Sequence, residues 1–95
     1  RMCMGDTLTG GQCAFEGQTL TVCVSDFHPS VQHPSHEYRL DVMDDEGTVL
    51  TQPISCEGQH FVTLPARTDA KFYRAEVFDA TLNLRIAVGN PIWNK

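Results

Sequence analysis

The sequence predicts an all-β chain folded as an antiparallel β-sandwich of about seven strands. Three observations carry this. Apolar residues recur with a two-residue period, turn residues break the chain every eight to twelve positions, and no window shows helical periodicity. At 95 residues the chain is long enough for a single core and is read as one domain, residues 1 to 95.

Residues 1 to 17 are rich in Gly, Thr and Gln and show no sustained period, so they are read as a leading segment with one short strand around Cys13 to Phe15. From Gln18 the alternation sharpens: Leu20, Val22 and Val24 fall on one face, Thr19, Thr21 and Cys23 on the other. Residues 26 to 37 contain two His-Pro steps, and proline removes ladder donors, which predicts a loop. Tyr38, Leu40 and Val42 resume the pattern, Asp44-Asp45-Glu46-Gly47 supplies a turn, and Thr48 to Thr51 returns as a hairpin. After Glu57-Gly58, His60 to Leu64 is a further strand and Pro65 to Ala70 a connector.

A second hairpin follows. Tyr73, Ala75 and Val77 share a face opposite Arg74, Glu76 and Phe78, Asp79-Ala80-Thr81 turns the chain, and Leu84, Ile86 and Val88 share a face on the return. Pro91 is expected to end or bend the return strand, with Asn90 satisfying the backbone there. An antibody-type domain would place Cys two residues after Tyr73, where this chain has Ala75, and its Trp on a central strand, whereas the only Trp is Trp93.

Composition narrows the function classes. Seven basic residues against twelve acidic ones give a net charge of −5, and the scattered basic residues form no stripe for a phosphate backbone, so nucleic acid is not an expected partner. No apolar run reaches the roughly 18 residues of a membrane span, and a membrane is not expected either. Cys3, Cys13, Cys23 and Cys56 form no C-x-x-C pair and are too sparse for a disulfide scaffold, which favours reduced thiols and the cytoplasm. The chain opens Arg1-Met2-Cys3 without an initiator or leader and is read as part of a longer polypeptide.

Chemistry-bearing constellations are weak. His28, His33 and His36 are the candidate metal ligands, with Cys23 and His60 as further donors, but their spacing fits no familiar zinc site and surface-loop histidines are the simpler reading. Ser35 or Cys23 with His36 and Asp26 makes no recognisable nucleophile arrangement, and Asp44 and Asp45 lack the ligand spacing of a calcium loop. Phe61, Phe72, Tyr73 and Phe78 are expected to fill the core rather than form a carbohydrate platform. No catalytic residue and no cofactor are therefore assigned.

The closing stretch FYRAEVFDATLNLRIAVGNPIW, residues 72 to 93, resembles the end of the small immunoglobulin-like β-sandwich that follows the catalytic barrel in PHP-type (polymerase and histidinol phosphatase) metal-dependent phosphoesterases of the CehA/McbA-like group. Met4-Gly5-Asp6 and Gly17-Gln18-Thr19-Leu20 are similar to the opening of those domains. The resemblance implies a non-catalytic C-terminal accessory domain whose partner is the preceding catalytic domain of the same chain. In that family the metal ligands begin with a His-x-His pair in the barrel, and no such pair occurs here. Ile92 and Trp93 are then the expected residues for an edge closure or interdomain contact. The alternative is a stand-alone sandwich that recognises a glycan or a protein on one sheet face.

Overall fold

The computed structural model describes residues 2–25, 37–55 and 58–95. Among them are ten strands: β1 (Met2–Met4), β2 (Thr7–Leu8), β3 (Gln12–Cys13), β4 (Thr19–Ser25), β5 (Tyr38–Asp44), β6 (Gly47–Ile54), β7 (Gln59–Pro65), β8 (Phe72–Asp79), β9 (Leu84–Val88) and β10 (Ile92–Asn94). They form two sheets, β2-β1-β4-β7 and β3-β10-β8-β5-β6, with β9 paired to β8 beside β10. All pairings are antiparallel except that of β10 with β3. Counting β9 and β10 as one interrupted strand and setting aside the two-residue β2 and β3 leaves seven strands, the expected number, although the first of them is β1 rather than a strand around Cys13 to Phe15. Their order, β1-β4-β7 against β6-β5-β8-β9/β10, is the immunoglobulin arrangement of A-B-E against C′-C-F-G.

The core forms where the alternating apolar faces of the two sheets meet. Met2, Met4, Leu20, Val22 and Val62 from the first sheet pack against Tyr38, Leu40, Val42, Tyr73 and Ile92 from the second. Phe15 and Ala70 fill it from connectors, and the Phe15 and Tyr73 rings lie 5.4 Å apart. Tyr73 also fixes the approach to β8, because its hydroxyl accepts a 2.8 Å hydrogen bond from the Arg67 backbone N–H. This is the tyrosine corner of immunoglobulin-like sandwiches, formed here without the cysteine that follows it in antibody domains.

The structure corrects several expectations. The leading residues supply three short strands rather than one, and Phe15 enters the core from outside any of them. Two- and three-residue strands are too short to show a period, so only their pairing reveals them. Of the two outcomes expected at Asn90 and Pro91, an end or a bend of the return strand, the structure has the bend. The return from the β8 turn stays paired to β8 along its length, with Leu84 opposite Asp79, Val88 opposite Glu76 and Ile92 opposite Tyr73. Gly89, Asn90 and Pro91 only interrupt it, as a jog anchored by the 3.0 Å bond from the Gly89 N–H to the Ala75 carbonyl. Of the four aromatic residues expected inside, only Tyr73 is in the core: Phe61 is exposed, and Phe72 and Phe78 are half-buried on the outer face of β8. The shared face of Leu84 and Val88 is likewise exposed.

Candidate interaction surface

The two outer sheet faces differ in chemistry. No Asp, Glu, Lys or Arg occurs in β1, β2, β4 or β7, so the first sheet presents Thr19, Thr21, Thr63, Cys3 and the exposed Phe61. Charge is confined to the strands of the second sheet. There, alternation puts Arg39, Asp41 and Met43 of β5 beside Phe78, Glu76 and Arg74 of β8 on the outer face, in direct cross-strand register.

This face has a carboxylate floor and an arginine roof. Asp41 and Glu76 are only 8% and 7% exposed. The Asp41 carboxylate accepts from Arg39 Nε at 3.0 Å and from the Thr51 hydroxyl at 3.0 Å. Glu76 Oε1 lies 3.3 Å from both Arg74 Nη1 and Arg85 Nε, an ion pair too oblique for a well-formed hydrogen bond on that atom. The three arginine side chains remain 37–56% exposed, each with further N–H groups beyond those the carboxylates engage. Arg39 also lies over the Phe78 ring, 4.1 Å from its centroid, and Arg74 Nη2 points to the Met43 sulfur at 3.8 Å.

At the β10 end, Trp93 is opposite Phe72, with ring centroids 5.3 Å apart and planes tilted by 57°. Trp93 is 47% exposed, whereas the adjacent Ile92 is fully buried in this domain's own core. Of the two residues expected to make a contact, Trp93 alone presents surface. Alternation within the three-residue β10 makes the difference: one side chain points to each face.

A second charged group is structural in character. Arg67 forms ion pairs with Asp44 and Asp45 at 3.2 Å, with Glu46 at 3.5 Å and with Asp69 at 2.9 Å, tying the β5–β6 turn to the connector before β8. Asp44 Oδ1 accepts from the Glu46 N–H within the turn, and Asp45 accepts from the Lys71 N–H at 3.0 Å. That backbone bond, helped by Arg67 and opposed by partial desolvation, holds Asp45 below the usual carboxylate range. Desolvation of Arg67 is outweighed by its bond to Asp44 and the neighbouring carboxylates, so its guanidinium is held even more firmly protonated. The 520 Å³ cleft beside it is lined by Thr48, Val49, Leu64, Pro65 and Tyr73 as well as by Asp44, Glu46 and Arg67. The acidic turn, which lacks the spacing of a calcium loop, is thus occupied by a guanidinium.

The metal candidates His28, His33 and His36 lie outside the described residues, as do Asp26, Ser35 and Cys56. His60 lies on β7, with Nε2 3.3 Å from the Ser55 hydroxyl and N–H, and no group of three or more metal-ligating side chains occurs among the described residues. Cys3, Cys13 and Cys23 form no disulfide among themselves. Among the described residues no helix is long and apolar enough to cross a membrane. Sequence reasoning missed the paired roles of Asp41, Glu76 and Arg85; the signal was present as charge at alternate positions of two strands, but their adjacency depends on register. Compared with protein-family models, with curated proteins and with solved structures, the chain matches none of them.

Proposed function

We propose that this chain is a non-catalytic accessory module that works by contact, through the outer face of its second sheet. The supporting observation is the arrangement of three half-exposed arginines above two carboxylates that are themselves buried, with Met43 beside Arg74 and the exposed Trp93 at the β10 end of the same sheet. Arginine, methionine and aromatic residues are the types enriched at protein interfaces. Here much of the ordering cost is already met, because each arginine is held by a carboxylate or a ring before any partner arrives.

The finer form of this reading follows from residues 72 to 93: an accessory domain of a PHP-type metal-dependent hydrolase, packed against the catalytic domain that precedes it in the same cytoplasmic polypeptide. The catalytic domain would hold the metal, and this module would contribute stability, interdomain packing or the rim of the substrate cleft. A stand-alone recognition module is the second reading, and the exposed Trp93–Phe72 pair favours a protein over a glycan because its tilted rings offer no flat platform.

Two measurements test the proposal. The purified chain, given a phosphodiester substrate and Mn²⁺, is expected to show no turnover; turnover abolished by chelator would overturn the non-catalytic reading. Trp93 is the sole tryptophan, so its fluorescence reports directly on the contact face. Acrylamide should quench it less in the polypeptide carrying the catalytic domain than in the isolated chain, and equal quenching in both would remove the contact.

A further inference from the structure

Sheet edges show a second surface, at the edge of the first sheet. An unpaired strand edge offers a row of N–H and C=O groups to any passing strand, and folded proteins blunt such edges by shortness, charge, proline or a bulge. Four of the edge strands here carry such a device. β2 and β3 are two residues long. The β5–β6 pairing has a register shift at Val42/Met43 and β6 contains Pro53. β9 carries Arg85 and a register shift opposite Val77/Phe78.

β7 has none of these along its length. Its seven residues, QHFVTLP, contain no charge, and proline comes only at the end. Its pairing with β4 runs from Gln59 opposite Ser25 to Pro65 opposite Thr19 without a shift. Among the described residues no strand pairs with its far edge.

Backbone alternation shows which groups that edge offers. The Ala66 N–H donates to the Gln18 carbonyl at 2.9 Å, in the same register as the β4–β7 ladder. Hydrogen-bonded pairs recur every second residue in an antiparallel ladder, so residues 60, 62 and 64 face β4. Gln59, Phe61 and Thr63 therefore direct their N–H and C=O groups outward, and the Phe61 side chain beside them is 60% exposed.

We infer that β7 pairs antiparallel with β7 of a second copy of this chain, about a two-fold axis through Phe61. In that register Phe61 faces Phe61 of the second copy and Gln59 faces Thr63 on either side, so the outward N–H and C=O groups of all three residues in each copy are matched. Pro65, which has no N–H to give, lies beyond the matched pairs. The charge pattern selects the occupant: an uncharged strand meets its own copy without like-charge contact, whereas a copy docked through β9 would bring Arg85 alongside another arginine. The pairing joins the two uncharged sheets into one continuous sheet and leaves the arginine face free.

One strand from each copy buries less than the roughly 1,200 Å² of a standard interface, so the dimer is concentration-dependent. Each chain carries a net charge of −5, and this opposes association from a distance. Added salt screens the repulsion and strengthens the dimer, opposite to the behaviour of an ion-pair interface.

Sedimentation equilibrium of the chain from about 1 µM to about 1 mM, at low and high salt, is the test. The expected result is a monomer–dimer equilibrium that tightens with salt, with amide exchange at Phe61 and Thr63 slowing as the dimer fills. Phe61→Lys puts two ammonium groups face to face on the axis and should weaken the dimer by about tenfold or more. Thr63→Pro removes an outward N–H and should do the same, while Leu8→Lys at the far edge of the same sheet should not. A monomer across the whole range, or a dimer that survives both β7 substitutions, would overturn the inference. Circular dichroism of each variant separates lost pairing from lost folding.

Discussion

At the scale of single residues, the most informative side chains are those whose polar atoms hold backbone from another part of the chain. Tyr73 was expected in the core as an aromatic residue on a strand, but its hydroxyl bond to the Arg67 N–H was not legible, because hydrogen-bond partners across a corner leave no period. Tyr73→Phe keeps the buried ring and removes the acceptor, so it should cost roughly 1–2 kcal/mol in urea unfolding. A change within experimental error would mean that water replaces the hydroxyl. Asp45 makes a pH-dependent contribution. Its folded pKa lies below its unfolded one, chiefly through the Lys71 backbone bond, so its stabilisation is present above about pH 4 and is lost as pH falls through the folded value. Asp45→Asn should flatten the acid limb of the stability profile; an unchanged acid limb would assign that limb to other carboxylates.

At the scale of elements, the long strands were readable and the short ones were not. β4, β5, β7 and β8 each run seven or eight residues, enough for alternation to show. Yet a two-residue period gives two faces without saying which is inner: Phe72 and Phe78 proved to share the outer face with Arg74 and Glu76. β10 shows what the short elements contribute. Asn94 accepts from the Phe15 N–H at 3.1 Å through its side-chain oxygen and donates through Nδ2 to the Thr68 and Ala70 carbonyls at 2.8 and 2.7 Å. One amide thus clamps the leading segment, the connector before β8 and the final strand. Asn94→Ala leaves those backbone groups without their partner and should cost roughly 2–3 kcal/mol, read from the urea midpoint. Asn94→Asp should recover only the Phe15 bond, and recovery of full stability would show that the donated bonds add nothing.

At the scale of the whole molecule, both ends of the chain meet in one structure. β10 pairs antiparallel with the start of β8 and parallel with β3, so it fastens the leading segment to the second sheet. The N–H groups of Trp93, Asn94 and Lys95 donate to the carbonyls of Gly11, Lys71 and Cys13 at 2.9–3.0 Å. The sequence suggested an edge closure at Ile92 and Trp93 but not its partners, because the leading residues show no period and the closing ones follow a proline; both gain their structure from pairing across the length of the chain. A chain ending at Pro91 loses the burial of Ile92, worth about 1.5–3 kcal/mol, together with three backbone bonds at roughly 1 kcal/mol each and the Asn94 clamp. That sum is comparable to the roughly 5–15 kcal/mol that holds a domain folded. The truncated chain is therefore expected to be largely unfolded by circular dichroism, or, where it folds, to lose amide protection first across residues 2–13. A truncated chain with the full-length urea midpoint and intact protection there would show that the leading strands are held by β4 and the core alone, and that β10 is an ornament on the edge of the sheet rather than the closure of the fold.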